Sequence, residues 1–84
     1  MADMLGKHEP SDQSLVHRSL EGNRDAYGTL VERYLQVVHA VIFTRLGNHA
    51  DAEDLVQDTF LKAYQSLDTL RDPARFAPWL ITIA

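Results

Sequence analysis

The segment 24–46 keeps one helical period of apolar residues over about six turns, with no proline to interrupt it. Tyr27, Leu30, Tyr34, Val37 and Val41 fall on one line, and Val31, Leu35, Val38, Ile42 and Leu46 fall on the line beside it. Two adjacent lines make a wide apolar face, which a helix can carry only when neighbours grip it from more than one side. The chain is therefore expected to fold as helices gathered around this central one. Val37–Phe43 is rich in β-branched residues, a strand-like composition. The helical period continues on both sides of it, and that decides for helix. Asn23 stands where an N-cap belongs, Arg45 lies in the last turn, and Gly47 follows as a C-terminal stop.

A third helix is expected from about His49 to Leu67, capped by Asn48, with Asp51, Glu53 and Asp54 in its first turns, where negative charge is favoured. Ala52, Leu55, Val56, Thr59, Phe60, Ala63 and Tyr64 form its apolar stripe. The opposite side carries Asp54, Gln57, Asp58, Leu61 and Gln65. A solvated face would be rich in Lys and Glu and free of large apolar residues. This one lines up acids, amides and a lone leucine, the composition of a surface made to touch another macromolecule. The plainer alternative is a solvated face whose acids complement the helix dipole.

Shorter elements flank this pair. Ser11 can cap a first helix over residues 12–21, with Leu15, Val16 and Leu20 inward and Gly22 as its stop. Ser66–Asp72 is a polar connection. Asp72-Pro73 then opens a fourth helix carrying Phe76, Trp79, Leu80 and Ile83 inward, with Pro78 tolerable only in the first turns. Residues 1–10 are polar and aperiodic, so a loose N-terminal tail is expected, followed by one domain over 11–84. The last helical pattern stops at Ala84 while still apolar, so the domain is expected to be incomplete at its C-terminus. The fold expected is all-α, a compact bundle of three to four helices with the second and third antiparallel and the last one truncated.

Composition narrows the function. Eighty-four residues allow one small core. A formal net charge of −4 is the wrong sign for a free-standing nucleic-acid binder, whose affinity comes largely from neutralising phosphates. DNA binding by this chain alone is expected to be weak, and its acidic face favours a basic protein partner. No cysteine is present, which removes disulfides and thiolate zinc sites and suits a reducing compartment. No signal-like or membrane-length apolar run occurs, so the expectation is a cytoplasmic protein without membrane attachment. No phosphate loop, nucleophile–base pair or pocketed carboxylate pair supports catalysis, and Ser14 beside His17 makes no dyad. His49 and Glu53 have helical i, i+4 spacing, but without thiolates or further ligands they point to no metal, and no cofactor is expected.

Three stretches together resemble region 2 of the bacterial RNA polymerase sigma factors, specifically the extracytoplasmic-function (ECF) group. They are Gly22–Tyr27 followed by Leu30–Tyr34, then Asp51–Tyr64, then Arg75–Ala84. The resemblance implies that the polar side of the third helix docks on the basic coiled-coil clamp helices of the polymerase β′ subunit, through Asp54, Gln57, Asp58, Leu61 and Gln65. Carboxylates suit this, since they accept charge-assisted bonds from arginine, and Leu61 would supply a desolvated centre.

The resemblance also implies that the loop after the third helix holds a base flipped out of the promoter −10 element. The polar candidates there are Asp68, Thr69, Arg71, Asp72 and Arg75, with Trp79 to stack or to pack. Further partners implied are promoter DNA and an anti-sigma factor. Two departures stand out: Thr82 occupies a position where a basic residue is common, and the basic continuation that grips the −10 strand lies beyond Ala84. The reading from a different class is a helical adaptor or anti-sigma-like regulator that binds protein and never DNA.

Overall fold

The structure, a computed structural model, describes residues 9–84. Four α-helices follow one another: α1 (Asp12–Leu20), α2 (Arg24–Leu46), α3 (His49–Gln65) and α4 (Phe76–Ile83). Short 3₁₀ turns, Leu67–Thr69 and Pro73–Arg75, join α3 to α4. No strand occurs among the described residues. The expected tail lies outside the described residues as far as residue 8.

Local chemistry sets the boundaries. Ser11 Oγ accepts the Ser14 amide at 3.1 Å and starts α1. Asn23 Oδ1 accepts the Ala26 amide at 3.1 Å and starts α2. Asn48 Oδ1 accepts the Asp51 amide at 3.2 Å and starts α3. Each cap satisfies a donor that the first helical turn leaves without a partner. Gly47 ends α2 at φ 69°, its amide donating to the Phe43 carbonyl at 2.8 Å. Only two residues, Gly47 and Asn48, separate α2 from α3, so the pair is antiparallel. Tyr27 thus meets Phe60 and Tyr64 at one end, and Phe43 stacks on His49 at 4.3 Å at the other.

The core draws on every helix. Leu15 and Val16 from α1, Leu30, Val38 and Ile42 from α2, and Val56 and Phe60 from α3 close around Leu67, Phe76 and Leu80. α1 lies on α2 and also covers both 3₁₀ turns, while α4 packs on α3, α1 and α2.

Four expectations need correction. Leu20 is 47% exposed, and the inward position in its turn belongs to Ser19, whose hydroxyl donates to the Leu15 carbonyl at 2.7 Å. Leu35, Val37 and Leu46 of the two α2 lines are exposed, Val37 by 50%. The reason is geometric: the apolar face of α2 is wide, and its three partner helices leave part of it uncovered. Leu55 and Tyr64 sit at the rim of the α3 stripe, not inside it. The fourth helix is not continuous from Asp72. Pro73–Arg75 is wound as a 3₁₀ turn, and Arg75 leaves the helical region at φ −103°, ψ 25° before α4 begins. Pro78 is third in α4, where its missing amide hydrogen has no intrahelical acceptor to serve.

The positive φ of Gly47 makes its replacement informative. A Cβ there meets nothing within 4 Å, so Gly47→Ala isolates the backbone cost. That cost is about 1–2 kcal/mol. Each ~1 kcal/mol shifts the melting temperature of a domain this size by about 4–8 °C. Thermal unfolding followed by circular dichroism should show a drop in that range with an unchanged folded spectrum.

Candidate functional site

Two surfaces stand out. On α3, Asp54, Gln57, Asp58, Leu61 and Gln65 are all exposed and share one side of the helix, as their spacing dictates. Leu61 is 54% exposed, a large apolar side chain held in water. It borders a shallow groove of about 330 Å³ shared with Arg24, Tyr27, Phe60 and Tyr64. Gln57 borders a second hollow of about 490 Å³ between α2 and α3, lined also by Leu35, Gln36, His39, Glu53 and Val56.

The exposed face of α3 therefore adjoins α2 across this hollow. Leu35, Gln36 and His39 are the residues that reading the sequence missed. Leu35 falls on a buried line by period alone, and only the antiparallel placement of α3 shows it standing outside, next to Gln57.

Two tyrosines brace this frame. The Tyr27 hydroxyl donates to the Phe60 carbonyl at 2.6 Å, and its ring lies 4.7 Å from that of Tyr64. Burial pushes the Tyr27 hydroxyl up to about 12, with the neighbouring Tyr64 adding to the rise. Tyr34 donates to Asp12, and burial first, then that hydrogen bond, pushes it up to about 12 as well. Asp12 also accepts from Arg33 Nη1 at 2.7 Å, and this bond raises the Arg33 guanidinium above its ordinary value.

The second surface follows α3 directly. Thr69, Leu70, Arg71 and Asp72 form one wall of a hollow of about 460 Å³, and Arg75, Pro78, Trp79 and Thr82 form the other. Five of the six residues expected in the loop site thus come together. Asp68 does not line the hollow. The 3₁₀ winding of Leu67–Thr69 buries Leu67 and sends the neighbouring Asp68 into solvent elsewhere.

Asp72 is partly committed to the backbone: its Oδ1 accepts the Ala74 amide at 3.1 Å, and its Oδ2 lies 3.8 Å from Arg75 Nε. The Thr69 hydroxyl donates to the Ser66 carbonyl at 2.6 Å. Arg71 has no ion-pair partner among the described residues. Trp79 is half-buried, packed on Phe76 at 6.0 Å while it walls the hollow, so it is a core residue and a surface at once. Leu70 and Pro78 are added by the structure. They make the hollow mainly apolar with cations at its rim, suited to a flat ring attached to a phosphate.

No group of three or more metal-ligating side chains is assembled among the described residues. His39, Phe43 and His49 instead form an aromatic stack at the hairpin end, with the two imidazole rings 5.5 Å apart.

The sequence profile of sigma-70 region 2 matches residues 30–84. The chain belongs to the sigma-70 region 2 family, in its ECF group. It is 42% identical over 71 residues to the ECF RNA polymerase sigma factor BldN of Streptomyces coelicolor, covering 83% of this chain and 27% of that protein. It is 40% identical over 74 residues to the ECF RNA polymerase sigma-E factor of Haemophilus influenzae, covering 88% of this chain and 39% of the relative. With the sigma-E factor of Escherichia coli the identity is 39% over 74 residues, 38% of that relative. The chain thus spans well under half the length of these curated relatives. No solved structure gives a significant match.

The raised tyrosines carry a pH prediction. A hydroxyl whose folded-state value exceeds its unfolded value of about 10 stabilises the fold fully below that pH and loses the contribution as pH climbs through 12. The melting temperature should therefore fall between pH 10 and 12. Tyr27→Phe and Tyr34→Phe should each flatten that fall. An unaltered slope in both variants would contradict the assignment.

Proposed function

We propose that this domain serves a sigma factor in transcription initiation, binding core RNA polymerase through α3 and holding an unstacked promoter base in the hollow after it. The observation that carries the reading is the row Asp54, Gln57, Asp58, Leu61 and Gln65, exposed together and centred on a leucine left in water. Docking falls to the two carboxylates, Asp54 and Asp58. They accept charge-assisted bonds from a basic surface such as the β′ clamp helices, and the net charge of −4 steers the encounter. Leu61 and its groove supply the dry centre on which such an interface depends. The names of the relatives, ECF RNA polymerase sigma factors, support the same partner.

The hollow takes the second role. Trp79 offers a stacking plane, and Arg71 and Arg75 offer positive charge to a strand's phosphates. Promoter DNA is bound weakly by this domain alone, because Asp68 and Asp72 offset the two arginines locally and the whole chain is acidic. Polymerase must bring the DNA to it. An anti-sigma factor would act by covering the α3 face. Nucleotidyl transfer belongs to the core enzyme, and the domain's part is binding. The place of action is the cytoplasm, where polymerase works. No helix among the described residues is long and apolar enough to cross a membrane.

Capture of core polymerase tests the first role. Asp54→Ala with Asp58→Ala should weaken binding at least about tenfold, a loss in the range for unpaired interfacial charges, and adding Gln57→Ala should weaken it further. Circular dichroism should show the fold intact. Unchanged capture by the double variant rules out the α3 face as the docking edge. For the second role, Trp79→Ala in the polymerase-bound domain should weaken binding of a single-stranded −10-element oligonucleotide by about tenfold or more, the cost of a lost base stack.

A further inference from the structure

One cluster belongs to neither surface. Asp12 opens α1, and both of its carboxylate oxygens are engaged by α2: Oδ1 accepts from Arg33 Nη1 at 2.7 Å, and Oδ2 accepts from the Tyr34 hydroxyl. Arg33 also reaches Glu9 at 3.2 Å. The Asp12 and Arg33 side chains are largely withdrawn from water, at 17% and 22% exposure. Arg33 alone would fasten α1 to α2. The bond from Tyr34 does something more, because the Tyr34 ring packs against Phe76 at 5.9 Å with the planes tilted by 52°.

Phe76 is fully buried and packs in turn against Trp79 at 6.0 Å. Trp79 is a wall of the hollow. A close-packed interior leaves Phe76 no free space in which to absorb a shift of Tyr34, so the displacement passes to the next ring. α1 lies against both 3₁₀ turns that shape the same hollow, which couples the cluster to it a second way.

We propose that Tyr34, held by Asp12, is a positioning residue for the hollow: through Phe76 it sets the place of the Trp79 ring. Its consequence for DNA rests on the reading of the hollow as a base-binding site, but the positioning itself does not. Replacing the hydroxyl leaves a ring of the same size with no anchor, free to move along its packing surface. Trp79 then samples more than one position, and a base that stacks on it finds a less ordered plane.

Trp79 is the only tryptophan of the chain, so its fluorescence reports this wall without interference. The experiment compares emission maximum and acrylamide quenching of Trp79 in wild type, Tyr34→Phe and Asp12→Asn, at a temperature where circular dichroism shows each fully folded. Val56→Ala is the control, a core truncation on α3 beside the hollow that α2 and α3 share, at a residue outside the Asp12–Tyr34–Phe76–Trp79 series. Both cluster variants should make Trp79 more accessible to quencher, and Val56→Ala should not. Bound to core polymerase, Tyr34→Phe should bind a single-stranded −10-element oligonucleotide about fivefold more weakly, the lower end of what a lost base stack costs.

Quenching unchanged from wild type in Tyr34→Phe, or changed equally in Val56→Ala, overturns the positioning role and reduces the cluster to a staple. If Asp12→Asn does not fold, Tyr34→Phe decides alone. A Trp79 signal that moves in Tyr34→Phe, while even wild type fails to bind the oligonucleotide, upholds the positioning and refutes the DNA reading of the hollow.

Discussion

Everything in this domain follows from a shortage of cover for α2. A helix about 35 Å long with so wide an apolar face needs neighbours on more than one side. The chain supplies α3 along one flank, the nine-residue α1 along part of another, and the eight-residue α4 across what remains. The hydrophobic effect fills the best-enclosed positions, Leu30, Val38 and Ile42, and leaves Leu35 and Val37 in water. The same shortage recurs on α3, where Leu55, Leu61 and Tyr64 stay outside. A self-sufficient domain of this size would avoid so many exposed large side chains. A domain that completes its burial against a partner is expected to keep them.

The two functional surfaces divide the electrostatics between them. α3 carries Asp51, Glu53 and Asp54 in its first two turns, Asp58 at mid-helix and Lys62 near its end, an order that suits the helix dipole and weights the negative field toward its N-terminal half. The hollow has its cations at the rim and apolar walls inside. Leu67, buried immediately after α3, ties the two together, so a partner that orients α3 also orients the hollow. Rigid attachment matters for a domain whose affinity for DNA is low. In the proposed reading, polymerase contributes the proximity and the domain contributes the geometry.

Much of the fold was legible because its signals are local. Ser11, Asn23, Asn48 and Asp72 each cap a helix or turn from within three residues, and Gly22 and Gly47 take the positive φ that ends one. The α3 face was legible for the same reason, since residues three and four apart must share a side. What escaped depends on pairs far apart in the chain. Nothing near Leu20 or Leu35 tells which side of its helix goes uncovered. The 3₁₀ winding that puts Asp68 outside the hollow answers to the burial of Leu67 and Phe76, not to its own sequence. Asp12 meets Arg33 and Tyr34 across 21 and 22 positions, a contact no period predicts. The resemblance to sigma region 2 pointed to residues that the fold does bring together, on one face of α3 and around one hollow, but it could not rank the residues within them.

The two-residue link between α2 and α3 has a kinetic meaning. Antiparallel helices joined so tightly close with little loop entropy to overcome, and their contacts are local enough to form early. α4 reaches its place only after the two 3₁₀ turns have brought Phe76 and Leu80 back across the hairpin to α1. The acidic docking edge is thus expected to exist as soon as the hairpin zips, while the hollow waits for the last helix to close the core. In a chain made from its N-terminus onward, the face proposed for protein would be ready before the hollow proposed for DNA.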